Sequence, residues 1–156
     1  MKQKTRIYID TSVWNFVLEA VRPDSILTYE FLQLMQSTEY IAVISDITET
    51  EINKSQEPRR SQLDQLIDIH QPEIIYVNEE VRNLSNIYLE EKLIPQPQIN
   101  DATHIAAATV NRCDFLVSWN FKHIVRAKVI RGVHLINLRE EYGLIELVSP
   151  REFLGK

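Results

Sequence analysis

The stretch Tyr40-Ile-Ala-Val-Ile-Ser45 constrains the fold more than any other part of the chain. It is a near-continuous apolar run with a polar stop. Such runs fit strands buried on both faces, which belong to parallel sheets covered by helices on either side. A second run, Ile7-Tyr8-Ile9, stands near the start and is cut off by Asp10, Thr11 and Ser12. Ile74–Val77 and Phe115–Ser118 read in the same way, and Val133–Leu138 (VHLINL) is expected as a fifth strand. Helical spacing fills the intervals: Leu27, Phe31, Leu34 and Met35 follow Pro23-Asp24-Ser25, and Leu63, Leu66, Ile67 and His70 run up to Pro72. Val81, Leu84, Tyr88 and Leu89 keep the same spacing. Ser12 to Val17 is expected as a short helical turn, and a further helix begins at Asp46. Asp101–Asn111 (DATHIAAATVN) is a helix whose alanines allow close packing on the sheet. Gly143–Lys156 receives no assignment. Strands alternating with helices imply right-handed crossovers and a three-layer α/β/α sandwich with a mainly parallel central sheet, one domain over residues 1–156.

With 156 residues, of which 44% are hydrophobic, the chain can build one real core. A charged fraction of 25% and only three glycines exclude a disordered chain and a loop-rich disulfide scaffold. Cys113 is the single cysteine, so a reducing cytoplasm is the expected location. The opening Met1-Lys2-Gln3-Lys4 and Arg6 is basic, but Asp10 breaks the following apolar stretch too soon for an export signal. No stretch approaches membrane-spanning length. The net charge of −5 excludes a basic coat for nucleic acid. Lys122, Arg126, Lys128 and Arg131 nevertheless follow one another without an acid; taken alone, that pattern favours a solvated helix face over a phosphate contact.

Three acids carry the chemistry. Asp10 ends the first strand, Glu51 lies one turn into the helix after the second, and Asp101 opens the alanine-rich helix. All three fall at the carboxyl edge of the expected sheet, where open parallel sheets bind ligands. Carboxylate oxygens suit hard divalent cations such as Mg²⁺ or Mn²⁺. Each acid also has a structural explanation: Asp10 as a cap on the turn at Ser12, Glu51 in a capping box with Thr48, Asp101 at the positive end of its helix. Glu51 is preferred to Glu49 because it adjoins Ile52 on the buried side of the helix. Asp46 reads as a helix cap, and Asp114 precedes its strand and so belongs to the opposite edge. His104, His123 and His134 show no ligand spacing and read as structural or surface residues, and Trp14 and Trp119 read as core.

The segments IYIDTSVWNF, ISDITETEI, NDATHIAAAT and DFLVSWNFKHI, in this order and spacing, resemble the PIN domain, particularly the VapC-like toxins of bacterial toxin-antitoxin systems. The resemblance spans Arg6 to Ile124. It matches the family's first aspartate with Asp10, its serine and the glutamate six residues later with Ser45 and Glu51, and its helix-opening aspartate with Asp101. A more variable fourth acid corresponds to Asn120, which keeps a carbonyl but brings no negative charge. The resemblance implies a metal-dependent endoribonuclease in which Asp10, Glu51 and Asp101 hold one Mg²⁺ or Mn²⁺. It places Asn120 with the three acids as a catalytic residue tuning that site, Ser12 beside it on the substrate side, and Lys122, Arg126 or Lys128 toward the RNA backbone. It further implies a small antitoxin partner and a homodimer; the lack of a long apolar stretch leads to an expectation of no membrane association. A PIN-fold protein-binding module with weakened catalysis stays open beside it, favoured by Asn120 and opposed by the three retained acids. An aspartyl phosphatase of the haloacid dehalogenase type is excluded because Ser12 stands where that chemistry needs a second aspartate.

Overall fold

The computed structural model describes residues 3–19 and 21–156; Met1 and Lys2 of the basic opening, and Ala20, lie outside the described residues. Five strands form one sheet in the order β3-β2-β1-β4-β5, and every pairing is parallel. The strands are β1 (Thr5–Ile9), β2 (Tyr40–Ser45), β3 (Glu73–Ile75), β4 (Phe115–Val117) and β5 (Glu146–Val148). In register, Tyr8 faces Val43 on one side and Leu116 on the other. The chain builds outward from β1 to β3 and then returns to place β4 on the other flank of β1. The carboxyl ends of β1 and β4 therefore form the point where strand order reverses, the edge at which open parallel sheets form their ligand crevice.

Side chains alternate along the strands and divide the core in two. Tyr8, Val43 and Leu116 point to one face, beneath α5 (Glu79–Glu90), α6 (Ile99–Val110) and α7 (Ala127–Arg139). Ile7, Ile9, Ile44 and Val117 point to the other, where α1 (Thr11–Val17), α2 (Pro23–Leu34), α3 (Asp46–Asn53), α4 (Arg59–His70) and α8 (Pro150–Phe153) contribute Trp14, Phe31, Ile52, Leu63 and Phe153. The three-layer arrangement and parallel sheet expected from the sequence are both present. Trp14 and Trp119 are buried, as expected. Among the described residues no helix is long and apolar enough to cross a membrane.

Two sequence expectations fail. Val133–Leu138 is not a strand but part of α7, and the fifth strand is Glu146–Val148 within the segment left unassigned. Over 13 residues α7 buries Val129, Val133 and Ile136, spaced four and three apart, and leaves Leu135 and Leu138 in solvent. The helical period over the longer window overrides the strand-like look of VHLINL. Asp46 is not a cap either: Ser45 is the N-cap of α3 and pairs with Thr48 in a capping box, while Asp46 Oδ1 accepts the Val77 N–H at 3.0 Å. Glu51 is thereby left out of the capping box suggested for it. Asp114 lies before β4, as expected, and accepts the Arg6 N–H at 2.8 Å.

The α7 assignment separates two substitutions that a strand would treat alike, because Ile136 and Leu138 would share one face of a strand. Ile136→Ala is expected to cost about 2–5 kcal/mol and Leu138→Ala less than about 0.5 kcal/mol in urea unfolding; equal losses would contradict the helix.

Candidate active site

Asp10 follows β1 as the N-cap of α1 and is 4% exposed. Its Oδ2 accepts the Ser12 hydroxyl at 2.7 Å, the Ser118 hydroxyl at 2.7 Å and, more weakly, the Ser12 N–H at 3.4 Å. Ser118 lies just beyond β4, so this carboxylate ties the two strand ends together across the crevice. The Ser12 hydroxyl also accepts the Trp119 N–H at 3.0 Å. Ser12 is thus committed to holding Asp10 and the β4 exit, rather than standing free for a substrate. The three bonds that Asp10 accepts all fall on Oδ2; Oδ1 lies 3.6 Å from His104 Nε2. The cap bond belongs to Oδ2, and Oδ1 is left facing His104.

Glu51 reaches the same crevice from α3. Its Oε1 accepts the Thr11 hydroxyl at 2.7 Å and His104 Nε2–H at 2.6 Å. Burial would raise this carboxyl, but the bond from His104 and its charge, then the bonds from Thr11 and Asn100, outweigh burial and hold it below the ordinary range. Glu49, the alternative, is exposed.

Asp101 stands in the first turn of α6, whose Ala102, Ala106, Ala107 and Ala108 are fully buried and let the helix sit close on the sheet. Burial, then the charge of Asp10, pushes the Asp101 carboxyl up to about 6; Glu51 adds to the rise, while His104 and a hydrogen bond from Asn120 oppose it. Asn120 makes that bond with its amide. Its Oδ1 accepts the Lys122 and His123 N–H groups at 3.2 and 2.9 Å, so the carbonyl expected near a metal closes its own turn instead.

His104, three residues after Asp101 on α6, is fully buried. Burial opposes a charge on it, but Tyr8, Glu51 and Asp10 prevail and hold the imidazole well above its ordinary value. Sequence reasoning set this histidine aside. The available signal was its spacing, since residues three apart share a helix face. Lys122, Arg126 and Lys128 are exposed on the turn after Asn120 and at the start of α7. Among the described residues none of them pairs with a site carboxylate. Nor is any group of three or more His, Cys, Asp or Glu drawn together closely enough to hold a metal as the side chains stand. The donor set, carboxylates without a thiolate, suits a hard divalent cation, and the raised Asp101 carboxyl marks negative charge that such a cation would relieve.

No family model matches the chain, and no curated protein matches it. Among solved structures, the chain is similar to VapBC2 from Rickettsia felis bound to a DNA fragment from its promoter, with 20% identity, a TM-score of 0.61 and coverage of 93% of this chain and 98% of the other. It is also similar to VapBC-1 from nontypeable Haemophilus influenzae, with 20% identity, a TM-score of 0.55 and coverage of 76% and 90%. A tyrosyl-tRNA synthetase complexed with L-tyrosine from Archaeoglobus fulgidus matches at 13% identity and a TM-score of 0.52, over 95% of this chain and 56% of that one. These likenesses are likenesses of fold, and the fold is PIN-like.

The crevice electrostatics have a direct readout. In carboxyl ¹³C NMR of metal-free protein, Asp101 is expected to titrate near pH 6, and Asp10→Asn is expected to lower that midpoint. Because folding raises this carboxyl above its ordinary value of 3.8, its contribution to stability is complete below that value and lost as pH rises through about 6. Asp101→Asn should therefore gain stability relative to wild type above pH 6; a midpoint near the ordinary value would contradict the assignment.

Proposed function

We propose that the chain is a metal-dependent endoribonuclease and the toxin member of a toxin-antitoxin pair. The observation that carries this reading is the meeting of Asp10, Glu51 and Asp101, from three separate segments, in one crevice at the carboxyl edge of a parallel sheet. Asp10, Glu51 and Asp101 would hold one Mg²⁺ or Mn²⁺, which when bound supplies a water of lowered pKa and stabilises charge on the phosphate. The chain's own groups do the rest. Ser12 and Ser118 fix the Asp10 carboxylate, Thr11 and His104 fix Glu51, and the Asn120 amide steadies Asp101. Lys122, Arg126 and Lys128, exposed and without acids among them, would meet the RNA backbone. No side-chain nucleophile is needed for phosphodiester hydrolysis of this kind.

The reading includes a cytoplasmic location, a small antitoxin covering the acidic crevice, and pairing of two copies of the chain. The second reading, a protein-binding module with weakened catalysis, is favoured by Asn120, whose carbonyl is spent within its own turn. Cleavage of a single-stranded RNA by the full chain in Mn²⁺ separates the two. Asp10→Asn is expected to lower the rate on the order of 10³-fold, as loss of several kcal/mol of charge stabilisation requires, with the thermal midpoint little changed. Cleavage that persists unchanged in the variant would remove the nuclease assignment.

A further inference from the structure

Besides the buried Tyr88–Asn137–Thr109 chain, which stays within the helical layer, the described core holds a polar chain that ends at a site carboxylate and that packing does not call for. Ser45 Oγ lies 2.7 Å from Tyr8 Oη, Tyr8 Oη lies 2.6 Å from His104 Nδ1, and His104 Nε2–H donates to Glu51 Oε1 over 2.6 Å. Ser45, Tyr8 and His104 are each fully buried, and the Tyr8 and His104 rings meet edge to face at 5.6 Å. The members come from the ends of β2 and β1, from α6 and from α3, so the chain spans the sheet and both helical layers. At its inner end Ser45 is itself fixed, through the capping box it forms with Thr48. At its outer end it stops at a carboxylate on the crevice wall.

We propose that His104 is the positioning residue of the cation site: it fixes the Glu51 carboxylate toward Asp10 and Asp101, and Tyr8 and Ser45 fix His104. This inference rests on the cation-binding reading above. The physical case is one of conformational freedom. A glutamate on a short helix has three side-chain torsions, and ordering them without partners is costly. Here Thr11 and His104 both hold Oε1, from opposite sides of the fold. His104 has no freedom of its own, because Tyr8 occupies its other nitrogen and the ring is wholly enclosed. Buried networks with every member paired are rigid, and hydrogen-bonded partners of ligating carboxylates set how those ligands present themselves.

The test is Mn²⁺ affinity by calorimetry, together with the number of waters on bound Mn²⁺ from water-proton relaxation, on the full-length chain. His104→Leu is expected to weaken Mn²⁺ binding on the order of 10–100-fold and Tyr8→Phe to weaken it in the same direction. His104→Leu should also add the same water to bound Mn²⁺ that Glu51→Gln adds. If His104 acts through Glu51, His104→Leu costs at most about twofold more once Glu51→Gln is present. A merely structural histidine would produce a full additional loss in that background, and this outcome overturns the proposal. Tighter Mn²⁺ binding in His104→Leu would overturn it too, because the imidazole would then be a competitor of the cation. Should His104→Leu fail to fold, Tyr8→Phe in the same two backgrounds carries the test, since it removes a single hydroxyl. A wild-type Mn²⁺ site lost in Asp101→Asn but indifferent to His104 and Tyr8 sinks this inference alone. A wild-type chain with no such site sinks the nuclease reading along with it.

Discussion

Negative charge confined to a partly buried crevice is the constraint on which the rest of the structure depends. A parallel sheet sends the chain out of β1, β2 and β4 at one edge, so Asp10, the head of α3 and Ser118 must share that edge. Carboxylates brought together there lose hydration and repel one another, and Asp101 registers both effects. The surroundings answer with donors. Ser12 and Ser118 supply Asp10, Thr11 and His104 supply Glu51, and Asn120 supplies Asp101. These groups hold the acids in place while leaving Asp10 Oδ1 outside the Oδ2 bonds.

The same elements serve core and crevice at once. Tyr8 lies in the apolar cluster beneath α5, α6 and α7, yet its hydroxyl is a link in the polar chain to Glu51. The fully buried alanines of α6 bring that helix close to the sheet, and the helix then delivers Asp101 and His104 from one face. Trp119 packs against Phe16 and donates its indole N–H to Thr28 Oγ1 at 2.8 Å, which fixes the start of the turn that carries Asn120. Precision at the crevice is therefore inherited from packing rather than from loops.

Much of this was legible in the residues. The runs at Ile7–Ile9 and Tyr40–Ser45 declare buried parallel strands because no polar residue interrupts them, and their ends place Asp10 and Glu51 at the same edge. Asp101 is legible from its position before an alanine-rich helix. What failed has physical reasons. VHLINL carries a local strand signal, and only the 13-residue period of α7 shows that Leu135 and Leu138 face water. Asp46 reads as a cap because it is acidic and opens the helix, but Ser45, one residue earlier, has the extended backbone that an N-cap requires. The role of His104 is not legible because a lone histidine shows no spacing to a second ligand; its partners are Tyr8 and Glu51, 96 and 53 residues away. Asn120 is legible as the position where the resembled family carries a variable acid, but the hydrogen bond from its side-chain amide to Asp101 depends on how its turn closes.

The proposed nuclease requires a divalent cation in the crevice at the carboxyl edge. Anomalous diffraction from crystals grown with Mn²⁺ tests it most directly, because the signal marks the ion independently of any activity. A peak between Asp10, Glu51 and Asp101 that vanishes in Asp101→Asn is the expected result. Mn²⁺ found only elsewhere on the surface, with the crevice carboxylates still held solely by Ser12, Ser118, Thr11 and His104, would contradict it.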